Sequence, residues 1–191
     1  MSARIVRGVA SMIAPVAVAL SLAGCDYDHF NVIVGRDFYV GTIMSHYDDV
    51  EVANKRILLK PGARVAIKTR RLTQSVAQFD LNILAGDGLV AFVRTVPHGF
   101  DTTQGIALRY STSGCWVRNE QMEIVPIEYN ADAGPQTVKI TSDGELIRFD
   151  AGCRVLHEQT TTLPGTEYVI LEALPGSTVE ILSMKFFLMD Q

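Results

Sequence analysis

The sequence predicts an all-β protein, an antiparallel sandwich of two sheets preceded by one hydrophobic helix at the N-terminus. From residue 64 onward, short runs rich in Val, Ile, Leu, Phe and Thr are separated by Gly, Asp, Asn, Pro and Ser at intervals of about 8 to 12 residues, the spacing of a sandwich or barrel. No segment after residue 24 keeps a helical period for more than two turns. The predicted helix is the stretch 8–24, whose 17 residues include no ionisable side chain.

Residues 1–24 have the composition of an export signal or of a membrane anchor. Arg4 and Arg7 precede the apolar stretch, and positive charge at this position holds the N-terminal end in the cytoplasm. The stretch is at the lower limit of a membrane span, which needs about 20 residues, and Pro15 interrupts it. Cleavage and retention both stay open, and in either case the rest of the chain is expected on the far side.

The end of this segment, Leu22-Ala23-Gly24-Cys25, resembles the lipobox of bacterial lipoproteins. The resemblance implies that the Cys25 thiol is diacylglycerated, that the signal is cut before it and that the new amino terminus is acylated. Two or three acyl chains hold a protein on a bilayer where one does not, so Cys25 is an anchor and not a catalyst. The expected location is the periplasm or the cell exterior, and Asp26 favours the outer leaflet of the inner membrane.

The remaining 167 residues are expected to form one domain with a sizeable core. Within it, 25–63 supply an N-terminal extension and the first strands, and 64–191 the sandwich. The leader contains two of the 17 basic residues and none of the 21 acidic ones, which leaves 15 against 21 and a net charge of −6. This balance argues against a nucleic-acid partner, because a nucleic-acid binder normally has a basic face.

The pattern of 26–63 is mixed, with short β-like pieces at 31–34 and 38–44 and turns predicted at 48–51 and 60–64. From there the predicted strands are 64–72, 77–84, 89–96, 105–110, 115–118, 122–129, 136–141, 145–150, 153–158, 166–173 and 177–189. Asp87-Gly88 and Asp143-Gly144 predict tight hairpins, because glycine supplies the positive φ that such turns require. Gly114 does the same in the turn "STSG".

This order of strands resembles the concanavalin A-like jelly roll, the sandwich of legume lectins, laminin-G domains and many bacterial sugar-binding or sugar-cleaving modules. The resemblance depends on "TVKITSDGELIRFDAGCRVLHE" at 137–158, followed by "EYVILEALPGSTVEILSMKFFL" at 167–188. In that family the second stretch is a closing strand pair that returns the C-terminus beside the N-terminus. Folds of this kind host unrelated activities, so the resemblance implies a fold more than a function.

Two cysteines, Cys115 and Cys153, remain once Cys25 is assigned to lipid. In a compartment that permits disulfides they are expected to form a bridge, the alternative being two separate small side chains in the core. A loop of about 40 residues closed in this way contributes roughly 3 to 4 kcal/mol if its geometry is unstrained.

The sequence contains no recognised catalytic pattern and therefore predicts a protein that is not an enzyme. Retaining glucanases of this fold space their acids alternately along one strand, whereas the odd spacing of Glu120 and Glu123 sends them to opposite faces. The Gly-x-Ser-x-Gly motif is absent, and the four histidines lie in separate segments. The only cofactor candidate is Ca²⁺ at the three acidic residues Asp48, Asp49 and Glu51, with a solvated turn as the alternative.

The candidate binding residues are Arg109, Tyr110, Trp116 and Arg118. Sugar sites on this fold place aromatic rings beside polar side chains, and Arg, Tyr and Trp also dominate protein interfaces. If Cys115 points inward, we expect Trp116 and Arg118 to point in opposite ways, so that the four do not line one groove. Trp116 as a half-buried cover of the sheet is the alternative.

The sequence thus leaves three functional hypotheses open. The first is a non-catalytic structural or accessory subunit that is tethered to the membrane by its lipid anchor and docks onto a membrane protein assembly. The second is a carbohydrate-binding lipoprotein module of the cell envelope, whose partner is a glycan. The third is a glycoside hydrolase with an unusual pattern of residues.

Overall fold

The computed structural model describes residues 42–45, 49–53, 56–68, 74–95, 102–166 and 168–188. These residues form 14 strands in two antiparallel sheets of seven strands each, which confirms the predicted two-sheet sandwich. Within the same ranges, no helix has the length and apolar character needed to cross a membrane. The predicted leader, the lipobox with Cys25 and the β-like piece at 31–34 lie outside the described residues.

The first sheet contains, from one edge to the other, β1 (Thr42–Ser45), β4 (Arg64–Lys68), β13 (Tyr168–Ala173), β6 (Gly88–Val93), β7 (Ile106–Ser111), β8 (Cys115–Arg118) and β9 (Ile124–Ile127). The second contains β12 (Arg154–Thr160), β11 (Leu146–Ala151), β10 (Gly134–Asp143), β5 (Gln74–Ala85), β14 (Thr178–Leu188), β3 (Arg56–Leu59) and β2 (Val50–Ala53).

The core lies between the two sheets and follows from the period of two along each strand. In β5, every second residue from Ser75 to Ile83 is buried and the residues between them are half-buried on the outer side. The largest side chains that are fully buried include Tyr110 of the first sheet and Phe79 and Phe149 of the second. Complete burial of each apolar side chain of this size contributes about 1.5 to 3 kcal/mol.

Two connections differ from their sequence predictions. The connection at Asp87-Gly88 is not a hairpin, because β5 belongs to the second sheet and β6 to the first, so the chain crosses between sheets there. The predicted closing pair also divides, with β13 in the first sheet and β14 in the second. The hairpin at Asp143-Gly144 is confirmed, since β10 pairs with β11 and Gly144 has a φ of 57°. The C-terminal β14 pairs with β3, close to the start of the described chain.

The early part of the chain contributes more strand than the sequence predicted. Val50 and Glu51 were expected in a turn, yet they belong to β2, which pairs with β3 along four residue pairs. The turn predicted at 60–64 is present just before β4, where the Ala63 N–H donates to the Lys60 carbonyl at 2.9 Å.

The predicted disulfide is wrong, since Cys115 and Cys153 are both free. Cys115 begins β8 and points into the core between the sheets. Cys153 is exposed in the turn between β11 and β12 and lies beside residues of the outer face of the second sheet. The two thiols are therefore on opposite sides of that sheet.

Candidate functional site

The outer faces of the two sheets differ in character. The outer face of the second sheet is polar and includes Gln78, Asp80 and Lys139. The outer face of the first sheet has a floor of five buried apolar residues: Ala66, Val90, Phe92, Ala107 and Ile170. A sandwich needs only the inner face of each sheet to be apolar, so this second apolar layer serves something other than joining the sheets.

The strand register arranges the outer face of the first sheet in two rows. One row crosses four strands through the paired residues Glu172, Val90, Arg109 and Trp116. The neighbouring row crosses the same strands through Ile170, Phe92, Ala107 and Arg118. Trp116 and Tyr168 are half-buried against this floor.

The structure brings three of the four candidate binding residues to this face. Trp116 and Arg118 are two residues apart on β8 and therefore point the same way, so the expectation that they point in opposite ways is wrong. Arg109 is paired directly opposite Trp116. Tyr110 is the exception, since it points into the core and is 1% exposed.

Tyr110 is packed and hydrogen-bonded inside the protein. Its ring lies 6.0 Å from the ring of Tyr129, centroid to centroid, and its hydroxyl hydrogen-bonds to the Gln136 side chain. Burial, followed by the hydrogen bond with Tyr129, raises the pKa of Tyr110 well above its usual value of 10.0. This residue therefore stabilises the core and does not reach a ligand on the outer face.

Arg109 is held loosely beside Trp116. Its Nη2 is 3.4 Å from Asp87 Oδ2 and 3.3 Å from Ser113 Oγ, both longer than an ordinary N–H···O hydrogen bond. The side chain of Arg109 is 27% exposed and that of Asp87 is 47% exposed. One aromatic ring, one guanidinium, one carboxylate and one hydroxyl thus meet at this end of the face.

The backbone fixes the position of Asp87. Ser177 Oγ accepts hydrogen bonds from the N–H groups of Asp87 and Gly88, at 2.8 and 3.0 Å. The preceding Gly86 has a φ of 75°, and a Cβ on it would lie 2.5 Å from the Gly176 carbonyl oxygen. The crossing between the sheets is therefore closely packed against the turn that contains Gly176, and Asp87 is presented from a rigid loop.

Arg118 lies across the apolar floor. Its Cζ is 5.7 Å from the centroid of the Phe92 ring, within the range of a cation–π interaction, and its Nη2 donates to the Thr102 carbonyl at 2.5 Å. The small Ala107 stands between Arg118 and Phe92 in the same row and leaves room for this arrangement. Burial lowers the pKa of Arg118.

At the other end of the row that contains Arg109 and Trp116, the charge of Glu172 is neutralised by an ion pair. Arg64, opposite Glu172 in the register, donates to Glu172 Oε2 from Nε at 2.9 Å and from Nη2 at 2.6 Å. This ion pair sits on β4 and β13, two strands from Arg109. The polar side chains that can still bind a ligand are therefore on the β7 and β8 side of the face.

The acidic calcium candidates do not come together as a site among the residues that are described. Glu51 forms an ion pair with Lys60 at 2.6 Å, and the Asp49 carbonyl accepts the Lys60 N–H at 2.9 Å. Asp48 is outside the described part of the chain. In that part, no group of three His, Cys, Asp or Glu side chains has the arrangement of a metal site.

Glu120 has a role that the sequence did not predict. Its carboxylate accepts hydrogen bonds from Thr161 Oγ1 at 2.6 Å and from the Thr162 N–H at 2.9 Å. These two bonds hold the pKa of Glu120 below its usual value. The turn between β8 and β9 is thus tied to the segment after β12, and Glu120 is structural.

Comparison with known proteins defines the fold. No family model matches the sequence, and no curated protein matches it. A carbohydrate-binding module, CBM66 from Bacillus subtilis, is similar with a TM-score of 0.58 at 10% identity, over 77% of this chain and 95% of the module. The fold is a lectin-type jelly roll.

Two further structures have the same jelly roll. The potassium-bound carbohydrate recognition domain of Emp46p matches with a TM-score of 0.55 at 10% identity, over 80% of this chain and 91% of that domain. The β-glucanase of Bacillus licheniformis matches with a TM-score of 0.55 at 11% identity, over 79% of this chain and 92% of the enzyme. The predicted concanavalin A-like jelly roll is therefore confirmed as a fold.

Proposed function

We propose that this protein is a carbohydrate-binding module whose sugar lies on the outer face of the first sheet. The proposal depends on one observation: Trp116 is paired across the strands with Arg109, whose guanidinium makes a long hydrogen bond to the exposed carboxylate of Asp87. A sugar has an apolar face of C–H groups, which stacks on an aromatic ring. Its hydroxyls need a small number of fixed donors and acceptors, and such a combination is typical of ligand sites.

The similar structures support this proposal over a purely structural role. Two of them are described as a carbohydrate recognition domain and a carbohydrate-binding module, and this chain covers nearly all of each. The lipobox at Cys25 completes the proposal, because acyl chains there would tether the module at the outer side of a membrane, where envelope glycans occur.

A glycan array probed with the full-length chain and with Trp116→Ala tests the proposal. We expect selective binding by the native chain and a loss of at least about tenfold in affinity on removing the ring, because an aromatic anchor of this kind contributes more than about 1 to 2 kcal/mol. Leu84→Ala is the matched control, since Leu84 is 52% exposed at the end of β5 in the other sheet. A blank array, or equal binding by Trp116→Ala, would contradict the proposal.

A second candidate function, docking onto a membrane protein assembly, has an observation of its own. Met122, Ile124 and Val125 are 48%, 61% and 36% exposed along the edge strand β9 and the turn before it. Pro126 in the same strand lacks an N–H, which disfavours addition of a further strand, so contact would use side chains. Co-purification of the native chain with a membrane complex, lost in Ile124→Asp, would support docking, and a solitary monomer would count against it.

A further inference from the structure

The arginines of the described chain differ in whether a carboxylate lies close to the guanidinium group. Arg64, Arg56 and Arg148 each meet a carboxylate closely, with N···O distances of 2.6, 2.9 and 2.8 Å. Arg109 has its carboxylate at 3.4 Å, and Arg118 has none within 4.0 Å among the described residues. Arg94 and Arg154 also have no close carboxylate in this part of the chain, but Arg94 is buried with three hydrogen bonds, and Arg154 donates to the Glu128 carbonyl and lies over the Tyr129 ring. Arg109 and Arg118 are the members of this group that flank Trp116.

The donors of these two guanidinium groups are largely unused. A guanidinium carries five N–H donors and no acceptor. Arg109 makes two long hydrogen bonds and Arg118 makes one, to a neutral carbonyl. The Nε atoms of both are buried and have no partner in the described part of the chain.

This arrangement is costly for the protein by itself. Removing a cation from water without an opposite charge is unfavourable, and an anion that binds bidentately is the usual compensation for arginine. The chain as a whole has a net charge of −4, so two under-compensated cations on one face are a local feature and not a consequence of composition.

We infer that the sugar bound on this face is acidic, with its carboxylate or sulfate ester held by Arg109 and Arg118. The inference rests on the proposed function and adds the chemical class of the ligand. Arg109 is directly opposite Trp116, and Arg118 is two residues along the same strand, a spacing of about 6.5 Å. A ring stacked on Trp116 therefore has one guanidinium beside it on β7 and the other about 6.5 Å along β8. A carboxylate and a sulfate ester each have two oxygens on one central atom, and a guanidinium can donate two parallel hydrogen bonds to such a pair.

The test uses the full-length chain and pairs of oligosaccharides that differ in charge alone. The probes are oligomers of galacturonate, glucuronate and mannuronate, each compared with its carboxyl-reduced neutral counterpart, and a sulfated oligosaccharide compared with its desulfated form. Binding is measured by calorimetry at low and at high salt. We expect at least one acidic member to bind about tenfold to a hundredfold more tightly than its neutral counterpart, as a charge-assisted hydrogen bond provides, and to weaken at high salt.

Two variants identify the residues. Arg118→Gln is expected to reduce the affinity for the acidic oligosaccharide by about tenfold or more and to reduce the affinity for its neutral counterpart by less, so that the acidic preference falls. Arg56→Gln is the control, because Arg56 is 55% exposed on the other sheet and its loss changes net charge equally. Thermal unfolding of each variant confirms that it folds.

The outcomes separate the two levels of the proposal. If neutral counterparts bind as tightly as acidic oligosaccharides and Trp116→Ala abolishes both, the acidic ligand is wrong while glycan binding stands. An acidic preference that Arg56→Gln lowers as much as Arg118→Gln does would also overturn the assignment to this face. If no probe binds, acidic or neutral, the proposed function fails together with the inference.

Discussion

Arg94, the residue that follows β6, donates a hydrogen bond to Ser142 Oγ of β10 at 2.7 Å and so joins the two sheets. Its guanidinium also donates to the carbonyls of Leu163 at 2.6 Å and Gly144 at 2.7 Å. Arg94 is 6% exposed and has a φ of 57°, an uncommon backbone conformation for a residue with a side chain. Its neighbours therefore hold it in place, and burial lowers its pKa.

Replacing Arg94 by alanine is expected to lower the free energy of unfolding by about 3 kcal/mol or more. The change removes the donor to one buried acceptor, Ser142 Oγ, and to two part-buried carbonyls, and each such loss costs about 1 to 3 kcal/mol before relaxation and water entry. Urea unfolding measures the effect. Arg56→Ala breaks an exposed ion pair with Glu180 and is expected to cost less than about 1 kcal/mol. Equal losses in the two variants would show that Arg94 is not a link between the sheets.

Replacing Gly86 and Gly144 by alanine distinguishes the destabilisation caused by a steric clash from the destabilisation caused by positive φ alone. Both have positive φ, 75° and 57°, which costs an alanine about 1 to 2 kcal/mol. A Cβ on Gly86 would also meet the backbone of Gly176 and Ser177 at 2.5 and 2.6 Å, whereas nothing lies within 4 Å of one on Gly144. Thermal unfolding should therefore find Gly86→Ala clearly the less stable. Gly86→Ala should also weaken glycan binding, since Asp87 is adjacent.

Alkaline pH is expected to destabilise the protein through Tyr110. Burial raises its folded pKa above 10.0, so above about pH 10 the unfolded chain releases a proton that the folded chain retains. The contribution is fully present below pH 10 and is lost at about 1.4 kcal/mol per pH unit above it. Tyr110→Phe should reduce the loss of stability between pH 10 and 11 by about 1 kcal/mol. An unchanged slope would mean that another group is responsible.

The strands after residue 64 follow from local pattern, while their distribution between sheets does not. The alternation of apolar and polar residues and the positions of glycine predict the strands and turns. As a result, β7, β8, β10 and β11 lie within a few residues of their predicted bounds. A Gly-Asp-Gly connection is compatible with both a hairpin and a crossing, so the sequence could not place β5 and β6 in different sheets. Four-residue strands such as β2 carry too little pattern to be distinguished from an acidic turn.

Part of the candidate site can be predicted from the sequence. That Trp116 and Arg118 share a face follows from their spacing alone, and the contrary expectation was an error of period. The approach of Asp87 to Arg109 depends on the crossing between the sheets and has no local signal. The same holds for Glu120 and Thr161, which are 41 residues apart. Long-range contacts of this kind require the fold to be known.

The lipid anchor at Cys25 stays a prediction with a direct measurement. We expect the intact mass of the native protein to correspond to a chain that begins at Cys25 and carries two or three acyl chains. Cys25→Ala should block both cleavage and acylation and leave the mass of residues 1–191. A native protein recovered from the cytosol with its leader intact would contradict the anchor, without affecting the proposed glycan face.

The two remaining thiols are expected to differ sharply in reactivity. Cys153 is exposed, whereas burial raises the pKa of the Cys115 thiol and suppresses the reactive thiolate. A maleimide reagent should therefore label Cys153 in the native protein within minutes and label Cys115 only after unfolding by urea. Cys153→Ser should remove native labelling completely, and Cys115→Ser should leave it unchanged. Loss of all free thiol in protein purified without reductant, restored by dithiothreitol, would instead reinstate a disulfide between them and require the second sheet to rearrange.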